Sequence, residues 1–261
     1  MKLHIDLNCD LGEGAGHAAA LMPLITSANI ACGAHAGDLA TMRATVALAL
    51  QHGVAIGAHP GFADRENFGR REWAISPASA AQLVFGQIQA LQEIAFAMKA
   101  EVRHVKLHGA LYHMASRDEG LARAIVEAVW GTEWKPIFFV LAGSVLERVA
   151  RARSEFQIVS EVFADRTYQR DGSLTPRSAP DALIRDEAAA VAQVLRMIRE
   201  GVVRATDGTD IPIAADTVCV HGDGPAPVEF AVRLRAEFAA AGIEVRAPGV
   251  TAAIERARAA S

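Results

Sequence analysis

Short runs that are apolar from end to end alternate with stretches of helical periodicity, and this alternation restricts the fold more than any other feature. The β-favouring runs are Leu3–Asn8, Ile25–Ala31, Val54–Ala58, Val102–Leu107, Ile137–Leu141, Phe156–Val162, Thr217–Val220 and Ile243–Arg246. Strands that lack polar alternation are buried on both faces, as in parallel sheets covered by helices. About eight such units predict closure into a TIM-like α/β barrel, although an open doubly wound sheet also satisfies the pattern.

Helix signals fill the intervals between these runs. Asp38 and Ser76 stand where helix N-caps are expected, and Pro77 follows Ser76 at the first helical position. Further helices are predicted over Glu119–Val129, Val145–Ala152, Leu183–Ile198 and Val228–Ala240. The sequence shows no Gly-, Ser- or Pro-rich linker, and 261 residues suit one barrel. We therefore expect residues 1–261 to form a single domain.

Composition excludes several classes of function. A net charge of −4 provides no basic face for nucleic acid, and no apolar run reaches the roughly 18 residues of a membrane span. The residues after Met1 lead into a strand instead of a signal peptide, so we expect a cytoplasmic protein. Cys9, Cys32 and Cys219 lie in apolar runs and are expected to be reduced core residues, with a nucleophilic role for Cys9 as the alternative.

Ionisable residues and glycines follow one predicted strand after another. His35, His59, His108 and His221 each come shortly after the end of a β-favouring run. Asp10 follows the first of these runs. Side chains alternate along a strand, so Asp6, Asn8 and Asp10 share one face, as do Lys106 and His108. In a barrel these strand ends meet at one mouth, where active sites are built. The pattern therefore predicts one shared polar site.

Basic residues at this mouth suggest an anionic ligand. Lys106 lies between Val105 and Leu107 in a buried run, where an unpaired ammonium is costly, so it should face Asp10 or a bound substrate anion. On this basis Lys106→Met should abolish activity and leave stability little changed. Two long arginine-rich loops, Pro60–Ala74 and Ala164–Pro180, supply Arg71 and Arg166 as candidates to bind carboxylate or phosphate.

Seven motifs resemble the LamB/YcsF family, known as the A subunit of 5-oxoprolinase. They are Asp6–Gly14 (DLNCDLGEG), Ser27–Asp38 (SANIACGAHAGD), Gly57–Gly61 (GAHPG), Phe68–Arg71 (FGRR), Val105–Tyr112 (VKLHGALY), Glu161–Tyr168 (EVFADRTY) and Val220–Asp223 (VHGD). The resemblance spans nearly the whole chain. It implies a fold similar to the irregular, seven-stranded β/α barrels of glycoside hydrolases and deacetylases. The segment from Gly16 to Pro23 is several residues shorter than the family pattern.

The resemblance also implies ATP-dependent opening of 5-oxoproline to L-glutamate, with ATP and Mg²⁺ as co-substrate and subunits B and C as partners. The sequence contains no Walker A motif. On this hypothesis the catalytic residues are Asp10, His59, Lys106, His108, Asp165 and His221, and the substrate-binding residues are Asn8, His35, Arg71, Arg166 and Asp223. Asp10 or His59 acts as the base for water, and Lys106 and Arg166 stabilise negative charge.

Two other functions remain open on the sequence. The first is a stand-alone amidohydrolase or deacetylase in which Asp10, His35 and His59 hold a divalent metal such as Zn²⁺. The second is a non-catalytic binding or regulatory subunit, which the number of ionisable groups at one mouth disfavours. The sequence leaves assembly into a homo-oligomer undecided.

Overall fold

Seven parallel strands close into a barrel. The protein is represented by a computed structural model that describes residues 3–153, 155, 157–222 and 226–249. The strands are β1 (His4–Leu11), β2 (Ser27–Ala31), β3 (Ala55–His59), β4 (His104–Lys106), β5 (Ile137–Leu141), β6 (Ile158–Phe163), β7 (Val202–Arg204), β8 (Asp210–Pro212), β9 (Thr217–Val220) and β10 (Glu244–Val245). The ring runs from β1 through β6 to β9, which pairs back with β1. The predicted barrel is confirmed in its seven-stranded form, and the open sheet is wrong.

Helices follow most strands of the ring. They are α1 (Ala18–Leu21), α2 (Leu39–His52), α3 (Pro77–Ala97), α4 (Gly109–Ala115), α5 (Glu119–Trp130), α6 (Val145–Arg151), α7 (Glu187–Glu200) and α8 (Pro227–Ala240). The predicted caps are present: Asp38 accepts a hydrogen bond from Thr41 N, and Ser76 accepts one from Ser79 N. Gly53 ends α2 in the left-handed region, at φ 67°, where glycine is favoured.

Three predicted boundaries differ from the structure. The helix expected from Leu183 begins at Glu187, because the Asp186 side chain accepts hydrogen bonds from the first-turn amides. The run at Ile243–Arg246 supplies only β10, which pairs with His4 and Ile5 outside the seven-stranded ring. Phe156 lies outside the described residues, and the strand predicted there spans β6.

The polar face of β1 points into the barrel, as its alternation predicts. Asn8 donates to Glu161 Oε1 on β6 and to Thr217 Oγ1 on β9. Because β9 separates β1 from β6 in the ring, the contact between Asn8 and Glu161 lies inside the barrel. Asp6 accepts from Thr217 and Ser27, and burial raises its pKa to about 6. The barrel interior is therefore a hydrogen-bonded polar network below the mouth.

The three cysteines are buried thiols, as expected for core residues. Burial raises the pKa of Cys32 to about 12 and that of Cys219 well above its ordinary value. A thiol with a raised pKa is a weak nucleophile. Among the described residues, no helix has both the length and the apolar character needed to cross a membrane.

Candidate active site

A cavity of about 770 Å³ opens at the end of the ring where the strands finish. Six of the predicted site residues line it: Asp10, His59, Lys106, His108, Arg166 and His221. They belong to the carboxyl ends of β1, β3, β4, β6 and β9 or to the residues that follow, which is where α/β barrels carry their sites. The structure thus brings together most of the residues that the strand-end pattern singled out.

Three histidines and Glu13 form a compact group on one side of this cavity. Glu13 Oε1 lies 2.9 Å from His35 Nε2, 3.3 Å from His108 Nδ1 and 3.7 Å from His59 Nε2. The rings of His35 and His108 stack in parallel, with centroids 3.7 Å apart, whereas His59 meets both edge-on. We call these four residues the histidine cluster.

Backbone carbonyls fix two rings of the histidine cluster. His59 Nδ1 lies 2.8 Å from the carbonyl oxygen of Lys106, and His108 Nε2 lies 2.8 Å from that of Phe68. The remaining nitrogens, His59 Nε2 and His108 Nδ1, lie 2.9 Å apart. Burial lowers the pKa of His35 and of His108, so both rings are neutral at physiological pH.

Lys106 and Asp10 form a buried ion pair on the floor of the cavity. Lys106 Nζ lies 2.8 Å from Asp10 Oδ1, 3.0 Å from Glu161 Oε1 and 2.9 Å from Cys219 Sγ. Burial alone would raise the pKa of Asp10, but His59 and Lys106 hold it well below its ordinary range. Burial opposes the charge on Lys106 as well, yet Asp10 and its other neighbours raise the lysine pKa well above its usual value. Of the two partners predicted for Lys106, Asp10 is therefore the one that it contacts.

Asp10 also connects to His59 and His221, which lie on different parts of the wall. Its Oδ2 is 3.3 Å from His59 Nε2, and the Asp10 carboxylate raises the pKa of His59 against the opposing effect of burial. Donor atoms of Asp10, His221 and Cys219 lie within 4.8 Å of one another. Both imidazoles are thus within reach of a small molecule bound above Asp10.

His221 is oriented by Asp165 and Arg177. Its Nδ1 lies 3.0 Å from both carboxylate oxygens of Asp165, and Arg177 contacts its Nε2 at 2.9 Å. Although burial alone would raise the pKa of Asp165, His221 and Arg177 lower it, so the carboxylate is ionised. Because Arg177 can only donate, His221 Nε2 accepts in this arrangement, and its Nδ1 carries the hydrogen that faces Asp165.

Three arginines, which we call the arginine wall, line the same cavity. Arg166 is buried and donates to the carbonyl oxygens of Ala182 and Thr175, and burial lowers its pKa to about 10. Arg70 and Arg177 line the same wall. These guanidinium groups suit a carboxylate or phosphate.

Five predicted site residues lie elsewhere. Asn8 is buried in the polar network below the cavity, His35 lies behind His108, and Asp165 acts through His221. Arg71 lies in a separate surface hollow with Trp73, whereas its neighbour Arg70 lines the cavity; the loop that carries both is irregular, without a fixed side-chain period. Asp223 lies outside the described residues.

The predicted metal set is also rearranged. Asp10 was expected to join His35 and His59. Its Oδ1 pairs with Lys106 and its Oδ2 lies 3.3 Å from His59 Nε2, but Glu13 is the acid that contacts both histidines. Glu13 and Glu161 were missed as site residues although both stand within the motifs. The available signal for Glu13 was its place between Gly12 and Gly14, immediately after β1.

Comparison with known proteins shows the family. The family model described as LamB/YcsF matches residues 5–253. The chain belongs to the LamB/YcsF family. Among its relatives, a protein of Shouchella clausii (strain KSM-K16) named as the A subunit of 5-oxoprolinase is 54% identical over 93% of this chain and 98% of that protein. The lactam utilization protein from Thermus thermophilus has a similar crystal structure, with a TM-score of 0.86 and 44% identity over 94% of this chain and 100% of that one.

More distant structures share the fold of this LamB/YcsF chain. The D285S mutant of the peptidoglycan deacetylase PdaC from Bacillus subtilis aligns with a TM-score of 0.50 and 10% identity, over 99% of this chain and 94% of that chain. At this identity the likeness concerns the fold alone. The expected similarity to deacetylase barrels is confirmed.

Proposed function

We propose that this chain is the A subunit of an ATP-dependent 5-oxoprolinase that hydrolyses the lactam of 5-oxoproline to L-glutamate while ATP is cleaved to ADP and phosphate. Subunits B and C are its partners, and ATP with Mg²⁺ is the co-substrate of the assembled enzyme. Family membership supports the substrate class. The observation that carries the chemistry is a single cavity that contains His59 and His221, each paired with a carboxylate and both close to Asp10.

Opening a lactam requires the groups that this cavity provides. Water adds to the lactam carbon, the bond from this carbon to the ring nitrogen breaks, and the nitrogen accepts a proton as it leaves. His59 with Asp10 is placed to take the proton from water. His221 with Asp165 is placed to give one to the nitrogen once Arg177 leaves His221 Nε2 for the substrate carboxylate. Transfer of the γ-phosphoryl group of ATP to the amide oxygen, which releases ADP, makes the carbon electrophilic enough for water to attack. Cleavage of the bond to nitrogen then leaves an acyl phosphate, which a second water hydrolyses to L-glutamate and phosphate.

The arginine wall supports an anionic substrate. Lys106, which was expected to face either Asp10 or a substrate anion, contacts Asp10 and Glu161. Arg70, Arg166 and Arg177 line the same cavity. We therefore assign the carboxylate of 5-oxoproline to the arginine wall, and Lys106 to holding the Asp10 carboxylate in place.

The test is glutamate and ADP formation from 5-oxoproline and ATP by this chain together with subunits B and C. His221→Gln should lower glutamate formation about 10²–10⁴-fold, the usual contribution of a positioned acid or base. His52→Gln is the control, because His52 is exposed at the end of α2, away from the cavity. Glutamate formation without this chain, or an undiminished rate with His221→Gln, would contradict the proposal.

A further inference from the structure

The hydrogen positions of two rings in the histidine cluster can be worked out from their carbonyl contacts. A carbonyl oxygen only accepts, so His59 Nδ1 and His108 Nε2, each 2.8 Å from a carbonyl, must carry hydrogens. A neutral imidazole has one N–H, so His108 Nδ1 holds a lone pair, and His59 Nε2 holds either a lone pair or, in the protonated ring, a second hydrogen. These two atoms face each other at 2.9 Å. Two bare lone pairs at this distance repel each other, so either a proton on His59 Nε2 or a metal cation must lie between the two nitrogens.

A carboxylate oxygen completes this arrangement. Glu13 Oε1 lies 3.3 Å from His108 Nδ1 and 3.7 Å from His59 Nε2. Zinc bonds of about 2.0–2.2 Å in a tetrahedral arrangement place the ligand atoms about 3.3 Å from one another. The three separations, from 2.9 to 3.7 Å, bracket this value. Metal-bound histidines commonly donate the other ring N–H to a backbone carbonyl, as both rings do here.

His35 belongs to the histidine cluster but is excluded as a ligand of the same ion. Its ring stacks on His108 with an interplanar angle of 2° and centroids 3.7 Å apart. An imidazole lone pair lies in the ring plane, so an ion in the plane of His108 lies far outside the plane of His35. His35 Nε2 contacts Glu13 Oε1 at 2.9 Å instead, which orients the carboxylate.

We propose that Glu13, His59 and His108 bind one divalent cation of the zinc class, with the remaining coordination position open to the cavity. All three residues line the cavity, whereas His35 does not. Two histidines and a glutamate with one open position is a ligand set used by catalytic zinc sites. The proposal deepens the proposed function because the ion lies in the same cavity; with the ion bound, His59 Nε2 is a ligand and Asp10, the other candidate base, takes the proton from water. Metal binding is measured without substrate, so either proposal can fail alone.

A second group of candidate metal ligands is less suitable for binding a divalent cation. Asp10, Cys219 and His221 bring donor atoms within 4.8 Å of one another. However, the Lys106 ammonium contacts Asp10 Oδ1 at 2.8 Å and Cys219 Sγ at 2.9 Å. A cation there would compete with a buried positive charge that is already paired.

The experiment is Zn²⁺ titration of the purified, chelator-treated chain, followed by equilibrium dialysis and elemental analysis. We expect one equivalent per chain, and we expect Co²⁺ in its place to give the visible absorption of a four-coordinate site. Glu13→Gln, which is nearly isosteric, and His108→Asn should each lower affinity at least 100-fold. His35→Gln should keep one equivalent and weaken binding about 10–100-fold, as for residues that orient a ligand.

His113→Asn is the matched control, because His113 lines the same cavity without contributing to the histidine cluster, and it should bind like the wild type. Circular dichroism of each variant verifies folding, and Glu13→Gln decides the matter if His108→Asn does not fold. Absence of Zn²⁺ uptake by the wild type would overturn the proposal. It would mean that His59 Nε2 carries a proton and donates it to His108 Nδ1 in a hydrogen bond. The ligand set would be wrong if Glu13→Gln took up Zn²⁺ like the wild type. It would also be wrong if His221→Gln were the one tested variant that lost Zn²⁺ uptake.

Discussion

Lys106 lies between two carboxylates, so its charge supports the fold as well as the site. Its Nζ is 2.8 Å from Asp10 Oδ1 and 3.0 Å from Glu161 Oε1, and only 2% of the residue is exposed. Removing one partner of a buried ion pair leaves an uncompensated charge and destabilises by about 3–5 kcal/mol. The structure therefore reverses the expectation, drawn from the sequence, that Lys106→Met leaves stability nearly unchanged.

Lys106→Met should lower the free energy of unfolding at pH 7 by about 3–5 kcal/mol, because two buried carboxylates lose their cation. Urea denaturation of the isolated chain measures this loss. The deficit should shrink as the pH is lowered, since protonation neutralises the carboxylates. Adding Glu161→Gln to the same variant should recover part of the stability. A variant within about 1 kcal/mol of the wild type would show that neighbouring groups relax to replace the ammonium.

At the scale of elements, the pairing of β3 with β4 makes room for a buried histidine inside the barrel. Gly57 on β3 is the register partner of His104 on β4, and a Cβ at Gly57 would lie 2.0 Å from the His104 ring. His104 stacks on Phe139, and its Nε2 lies 2.8 Å from Asn29 Oδ1. Burial, reinforced by the positive charge of Lys106, lowers the pKa of His104 to about 3.

This lowered pKa should make stability depend on pH. Between about pH 6.5 and pH 3 an unfolded chain binds a proton at His104 that the folded chain does not, so stability falls as the pH is lowered. One such proton contributes about 1.4 kcal/mol per pH unit. His104→Asn should lower the slope between pH 6 and pH 4 by about that amount, whatever its effect on stability at pH 7. Denaturant titrations at several pH values give the slope, and an unchanged slope would contradict a neutral His104.

Element boundaries were predictable where a local signal fixes them. Asp38, Ser76 and Gly53 mark helix ends because capping depends on a few neighbouring residues. Barrel closure is not local. No short-range pattern decides whether the run at Thr217 or the run at Ile243 pairs with the middle of β1, and both do pair with β1 at successive positions.

For the whole molecule, the position of the site was predictable from the sequence, but the contacts between its side chains were not. Strand-end histidines converge because all parallel strands of a barrel finish at one mouth. Which acid each histidine meets is not given by the strand period. Glu13, in the loop after β1, contacts all three histidines of the cluster, whereas Asp10 on β1 pairs with Lys106 and contacts His59. Arg70 and Arg71 differ by one position in an irregular segment, where no periodicity distinguishes the cavity from the surface.

The isolated chain, without its proposed partners, should be a poor catalyst. A lactam is a stabilised amide, and the sequence lacks a Walker A motif with which to bind ATP for its activation. The isolated chain, supplied with Zn²⁺, 5-oxoproline and Mg²⁺-ATP, should therefore form glutamate at least about 10²-fold more slowly than the complex with subunits B and C, a barrier difference of about 2.7 kcal/mol or more. Chromatographic measurement of glutamate and ADP makes the comparison, with subunits B and C alone as the control. Full ATP-coupled turnover by the isolated chain would contradict the proposed need for subunits B and C. Release of acetate from an N-acetylated sugar without ATP would instead favour a stand-alone metal-dependent deacetylase.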